Sequence, residues 1–295
     1  MSATTRSHNF ARDLAALAKP SITMLSVFTM LAGVWLAPGE VNWSAISLAV
    51  IGTALVVAAA NTLNCYIERD SDKFMARTKA RPLPAGRMLP KTALFYGLAL
   101  ALISVPVLTF GVNPVTGLLA AIALVSYVWI YTPMKQISPW ALWVGAVPGA
   151  MPPLLGWTAV QGQIEWPGLV LFGIMFIWQL PHFIAISMYR DQEYQRAGIR
   201  TVAAVNGWSS ATKQIFFWTA VLVPFSFLLV PLNVTGYVYL VCSAALGAGF
   251  VWKAAKGFRS ADQSKWARGI FLYSLIYLTL LFAAVAVDVL VGKLA

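Results

Sequence analysis

Nine predominantly apolar stretches run through this chain of 295 residues, at roughly 21–37, 44–63, 92–110, 114–132, 140–160, 166–187, 214–231, 235–253 and 270–291. A helix that crosses a bilayer needs about 20 such residues. Inside lipid a backbone must also satisfy its own hydrogen bonds, which leaves helices or closed barrels. The length of these stretches selects an all-α integral membrane protein with nine spans. Charged residues make up only 11% of the chain, against about 25% in a soluble domain.

The placement of charge gives the orientation. All of the 21 Lys and Arg except Lys293 fall in alternate connections. The N-terminal tail carries Arg6, Arg12 and Lys19, and the 64–91 loop carries Arg69, Lys73, Arg77, Lys79, Arg81, Arg87 and Lys91. Lys135 lies in 133–139, Arg190, Arg196, Arg200 and Lys213 in 188–213, and Lys253, Lys256, Arg259, Lys265 and Arg268 in 253–269. The connections near 38–43, 111–113, 161–165 and 232–234 have none. By the positive-inside rule the N-terminus is cytoplasmic, and an odd number of spans puts the C-terminus outside. The expected division is a cytoplasmic tail over 1–20 and one transmembrane domain over 21–295. The tail has charges and no long apolar core, which argues against a cleaved signal peptide. The net charge of +11 is spread over short loops, not gathered as a nucleic-acid footprint. Cys65 and Cys242 lie in or beside apolar spans, and read as free thiols without a disulfide framework.

Two polar clusters interrupt this pattern on the expected cytoplasmic side. The first is NTLNCYIERDSDKFMARTKARP, residues 61–82. If its first half is helical, Asn64, Glu68 and Asp72 recur at i, i+4 and i+8 on one face, with Asp70 pointing away. Two readings are open: oxygen ligands for Mg²⁺, with phosphates completing the shell, or a solvated helix end. Lys73, Arg77, Lys79 and Arg81 follow, and suit phosphate binding.

The second cluster is WQLPHFIAISMYRDQEYQRAG, residues 178–198. On a helix, His182, Ile186, Tyr189, Arg190 and Glu193 share a face opposite Asp191. Ionisable groups at a span edge usually face a cavity, although for His182 alone a hydrogen-bonded buried histidine is the favoured reading. Tyr131 and Lys135, in YTPMK, join the same membrane face. Pro148, Pro152 and Pro153 kink GAVPGAMPPLLGW, whose small residues suit close helix packing. The two clusters are four spans apart, which suggests two related four-helix halves plus one further helix. A charged mouth above an apolar wall suits a ligand with a phosphate head and a long apolar tail.

NCYIERDSDKFMARTKARP resembles the aspartate-rich signature of the intramembrane (UbiA-type) prenyltransferases. The larger set DKFMARTKARPLPAGRM, YTPMK, GAVPGAMPPLLGW and WQLPHFIAISMYRDQEYQRAG is similar to the branch of that family that farnesylates heme, and runs from about Lys19 to Val287. The resemblance implies nine helices around a central cavity open to the cytoplasm and laterally to lipid. It implies transfer of farnesyl from farnesyl diphosphate to a vinyl group of heme b, with Mg²⁺ as cofactor and heme O and diphosphate as products. Asn64, Glu68, Asp72 and Glu193 match metal-binding and catalytic positions; Glu stands at 68 and 193 where the family usually has Asp. Arg77, Arg81, Tyr131 and Lys135 match diphosphate-binding positions. His182 matches the family's histidine, with iron ligation, propionate contact and structural support all open. Arg190 and Arg196 are candidates for the heme propionates. The expected location is a bacterial inner membrane, with no assigned heme-supplying or oxidase-assembly partner. The alternatives are the same chemistry on an aromatic quinone precursor or chlorophyllide, a transporter, and a heme-binding assembly factor without turnover.

Overall fold

The computed structural model describes residues 9–294. Residues 1–8, Arg6 of the expected tail among them, and the side chain of Lys293 lie outside the described residues. Among the described residues there are helices and turns and no strand. The long helices are Pro20–Leu36, Trp43–Ile67, Pro90–Gly111, Pro114–Met134, Ala141–Gln161, Trp166–Tyr189, Val202–Ser226, Tyr237–Ala255 and Gln263–Leu294. Each overlaps one of the apolar stretches read from the sequence. Seven are long and apolar enough to cross a membrane, or eight crossings if Phe10–Ala18 and Pro20–Leu36, bent by 45°, count as one. Ala141–Gln161 is outside that set. Three prolines inside it and its glycines dilute the apolar character that lipid requires, and serve contact with other helices.

That contact is direct. A Cβ on Gly33 would overlap the Pro153 carbonyl, and one on Gly156 would overlap the Met30 carbonyl. Pro20–Leu36 and Ala141–Gln161 therefore meet backbone to backbone, as small residues allow in membranes. Gln179 Nε2 donates to the Ala146 carbonyl at 3.2 Å, a protein neighbour for the kinked helix of the kind the prolines demand.

The apolar core divides in two. One cluster joins Met30, Val56, Leu63, Leu108 and Leu124 on the N-terminal helices. The other joins Ile174, Ile215, Phe250 and Tyr277 on the C-terminal ones. Ala141–Gln161 feeds both, with Met151 and Leu155 in the first and Ala150 and Trp157 in the second. At the end of the bundle away from the polar clusters, buried Asp288 accepts from the backbone N–H groups of Gly236 and, at 3.0 Å, Tyr239. It thus caps the Tyr237–Ala255 helix from another helix.

The basic 68–89 connection is a packed cap. Leu17, Cys65, Leu83, Met88 and Ala93 form a third small core. The cap is fastened to the short helix Phe10–Ala18 by Arg87 Nη2, 3.0 Å from Asp13 Oδ1. The expected tail over 1–20 thus contains a helix of its own. Its signals are short: Asn9 accepting from the Arg12 N–H at 3.3 Å and one apolar residue, Leu17, turned inward.

Candidate active site

The Trp43–Ile67 helix delivers the first cluster. Asn61 and Asn64 lie buried in its last two turns. The helix ends at Ile67, earlier than the i, i+4, i+8 reading supposes, and Asp72 sits in a 3₁₀ turn, Ser71–Phe74. The backbone nevertheless keeps the helical step, because Glu68 N–H donates to the Asn64 carbonyl at 2.9 Å and Asp72 N–H to the Glu68 carbonyl at 2.8 Å. Thr78 Oγ1 then donates to the Asp72 carbonyl at 2.8 Å, closing the turn.

Each of these three polar residues meets a base. Lys19 Nζ donates to Asn64 Oδ1 at 2.9 Å, Lys135 Nζ to Glu68 Oε1 at 2.7 Å, and Arg81 Nη1 to Asp72 Oδ2 at 2.6 Å. Lys19 stands where Phe10–Ala18 and Pro20–Leu36 meet, in a left-handed conformation with φ of 49°. A non-glycine residue there is strained and is held by its surroundings. Lys135 follows a π-helical segment, Ser126–Tyr131, of the kind that often occurs at functional sites. It lies 4.3 Å from the Tyr131 ring centroid. Burial pushes the Glu68 carboxyl up, but Lys135 and Lys19 outweigh it and hold the group below the usual carboxylate range. Burial works against the charged Lys135, but Tyr131 and Glu68 outweigh it and hold the ammonium above the usual lysine range.

The second cluster is broken. The Trp166–Tyr189 helix stops at Arg190, with φ −112° and ψ 21°, and a short helix, Asp191–Arg196, takes over. The single helical face proposed for His182 through Glu193 is interrupted there. Arg190 Nη1 lies 3.6 Å from Glu193 Oε2, and Arg190 Nε donates to the Tyr189 hydroxyl at 3.1 Å. His182 is buried, with Nδ1 2.7 Å from Ser274 Oγ. Its ring stacks on Trp178 at 4.7 Å and lies 4.9 Å from that of Phe271.

The two clusters are linked through Lys135, whose carbonyl accepts from the Arg200 N–H at 2.9 Å. Tyr194 lies between them. Burial pushes its hydroxyl above the usual range, while Arg77, Lys135 and Arg190 pull it back. Arg77 itself is exposed.

The donor set suits a hard divalent cation. Asn64, Glu68, Asp72 and Glu193 offer only oxygen. The first three already hold cationic nitrogens, and the buried Glu193 Oε2 has no hydrogen-bond partner among the described residues. Among those residues no three His, Cys, Asp or Glu form a metal-holding group. The fit therefore rests on donor chemistry and not on an assembled cage.

Comparison with known proteins decides the family. The UbiA prenyltransferase family profile matches residues 26–276. The chain belongs to the UbiA prenyltransferase family. It is 47% identical over 275 residues to a protoheme IX farnesyltransferase of Anaeromyxobacter dehalogenans, covering 93% of each chain. It is 48% identical over 276 residues to the protein of that name from Sorangium cellulosum, covering 88% of this chain and 99% of the relative. Among solved structures, a digeranylgeranylglyceryl phosphate synthase superposes with a TM-score of 0.81 at 17% identity, over 94% of this chain and 98% of that one. A UbiA homologue from Archaeoglobus fulgidus bound to GPP and Mg²⁺ superposes with a TM-score of 0.65 at 15% identity, over 93% and 99%. These structural likenesses bear on the fold, which this UbiA prenyltransferase shares.

Three polar residues of the site escaped the sequence reading. Lys19 had as its only sign a lone base before the proline that opens the first long helix. Thr132, which accepts from Asn64 Nδ2 at 3.2 Å, looks like part of a span. Tyr194 lies inside the second motif without a spacing that marks it. Of the two cysteines, both free, Cys65 is buried and Cys242 half-buried.

Proposed function

We propose that this chain transfers the farnesyl group of farnesyl diphosphate, with addition of water, to a vinyl group of heme b, giving heme O and diphosphate. Family membership and relatives of that name at nearly half identity support the reading. The structural observation that carries it is the row of Asn64, Glu68 and Asp72, each against a base, at one end of an apolar bundle.

The row acts on the diphosphate. Lys19, Lys135 and Arg81 are held by Asn64, Glu68 and Asp72. Toward a substrate diphosphate the same bases turn from these side-chain oxygens to phosphate, and neutralise the charge that grows as the C1–oxygen bond breaks. Asn64, Glu68, Asp72 and Glu193 would hold Mg²⁺, which adds Lewis-acid neutralisation of the leaving diphosphate. Arg77 and Tyr131 add contacts at the mouth. The apolar helix walls keep water from the allylic cation until the acceptor is in place. The vinyl carbon of heme then bonds to C1 of the farnesyl group. Water adds to the resulting cation beside the ring and loses a proton, leaving the hydroxyl. No strong base is required for vinyl attack, in keeping with His182 as the one histidine among the described residues.

The bundle as a whole is proposed to span a bacterial inner membrane nine times, N-terminus in the cytoplasm and C-terminus outside, as the basic loops favour. The bent Phe10–Ala18 and Pro20–Leu36 pair and the proline-bearing Ala141–Gln161 helix supply the crossings beyond the seven most apolar ones. The bundle's cavity is proposed to open to the cytoplasm and to lipid.

Turnover of purified protein with heme b and farnesyl diphosphate, in Mg²⁺ or in EDTA, tests the reading. A farnesylated heme formed only with Mg²⁺ supports it. Diphosphate release without modified heme overturns the acceptor, and aromatic acids are then the substrates to offer.

A further inference from the structure

A cleft of about 520 Å³ opens between the end of the Trp166–Tyr189 helix and the start of Gln263–Leu294. It is lined by Tyr189, Arg190, Glu193, Arg268, Phe271 and Leu272. Two guanidinium groups and one carboxylate share it with two aromatic rings and a leucine. Its chemistry is that of a flat apolar body with more than one anionic group at its edge. Arg190 is partly engaged, by the Tyr189 hydroxyl at 3.1 Å and Glu193 at 3.6 Å. Arg268 is different: it has no hydrogen bond or ion pair among the described residues. The cleft therefore keeps an uncompensated positive charge beside an aromatic wall.

The wall leads inward. Phe271 lies one turn from Arg268 on the same helix and touches both the Tyr189 ring, 5.5 Å away, and the His182 ring, 4.9 Å away. Ser274, one turn further, holds His182 Nδ1 at 2.7 Å. One helix face thus runs from a guanidinium at the rim, past an aromatic surface, to the His182 imidazole.

We infer that this cleft receives the propionate carboxylates of the tetrapyrrole acceptor, held by Arg268 together with Arg190, with Tyr189 and Phe271 against the ring edge. The inference rests on the proposed heme acceptor, and adds a specificity residue, Arg268, outside both motif clusters. Planar guanidinium groups suit carboxylates because they bind through paired N–H donors.

Steady-state kinetics of Arg268→Ala and Arg268→Lys with heme b and with its dipropionate dimethyl ester test it. With heme b, Arg268→Ala raises KM for heme roughly 10- to 100-fold, the loss expected of a charge-assisted hydrogen bond, with KM for farnesyl diphosphate unchanged. Arg268→Lys recovers part of that loss. With the dimethyl ester, wild type already shows the raised KM and Arg268→Ala adds little. An unchanged KM for heme b in Arg268→Ala, or a full further loss on the ester, overturns the cleft assignment while leaving the farnesylation reading standing. A wild-type protein that makes no modified heme overturns that reading, and the cleft assignment with it.

Discussion

Lys135 Nζ and Glu68 Oε1 lie 2.7 Å apart across 67 residues of sequence, and both side chains are largely buried. The pair joins the helix carrying the first polar cluster to the segment after the π-helical turn. Each partner compensates the other for leaving water. Removing one leaves a buried charge unpaired, which typically costs about 3–5 kcal/mol. Lys135→Met alone is therefore expected to lower thermal stability in detergent more than the double variant Lys135→Met with Glu68→Gln, as a melting series would read.

The same pair gives a pH dependence of known sign. The folded-state pKa of Glu68 is depressed, so its contribution is complete above the ordinary carboxylate range and is lost as the pH falls through the lower folded value. Lys135 is raised, so its contribution is complete below the ordinary lysine range and lost only above it. The wild-type melting temperature is expected to be flat through neutral pH and to fall on strong acidification, and the double variant Lys135→Met with Glu68→Gln is expected to lack that part of the acid limb.

Asp72 is held by Arg81 at 2.6 Å and by its backbone in the 3₁₀ turn. Replacing its carboxylate with an amide keeps the shape and removes the charge. Asp72→Asn and Asp72→Ala are expected to insert and purify normally and to lose at least about 100-fold in turnover, the scale seen when a preorganised electrostatic group is removed. Full activity in either variant removes Asp72 from the machinery.

Gly156 and Gly33 permit a crossing in which backbone meets backbone. Gly156→Ala puts a Cβ into the Met30 carbonyl, and the helices must separate. A loss of roughly 1–3 kcal/mol is expected, read as a lower melting temperature with KM values for the substrate pair little changed.

Asp288 caps a neighbouring helix far from the polar clusters. Asp288→Ala is expected to cost about 1 kcal/mol or somewhat more, as loss of a cap does, and to leave KM for farnesyl diphosphate and heme unaltered. A changed KM with unchanged stability would contradict a purely structural role.

The helical layout was legible because apolar length is a local property. The stretch 92–110 lies within Pro90–Gly111 and 166–187 within Trp166–Tyr189. Boundaries were lost where the first turns are amphipathic. Gln263–Leu294 begins several residues before the apolar stretch at 270, because Lys265 and Arg268 mask its start. Val202–Ser226 begins well before 214 and contains Gly207 at φ 81°, a break that a hydropathy reading passes over. The spacing of Asn64, Glu68 and Asp72 pointed to one row, and the backbone bonds keep that row although the helix ends. The partners of the row were not legible, since Lys19 meets Asn64, and Lys135 meets Glu68, only through tertiary packing. The break at Arg190 was hidden for the same reason: nothing in RDQEY forbids a continuous helix.

The central claim is that a heme vinyl group is the acceptor for a farnesyl group at this site. The most direct measurement is mass spectrometry of the heme fraction after turnover of the purified protein with heme b, farnesyl diphosphate and Mg²⁺ in ¹⁸O-labelled water. The account predicts a heme heavier by one farnesyl group and one hydroxyl, with the label in that hydroxyl and an equal quantity of diphosphate released. Unmodified heme alongside released diphosphate, or a farnesylated product that carries no labelled oxygen, would contradict it.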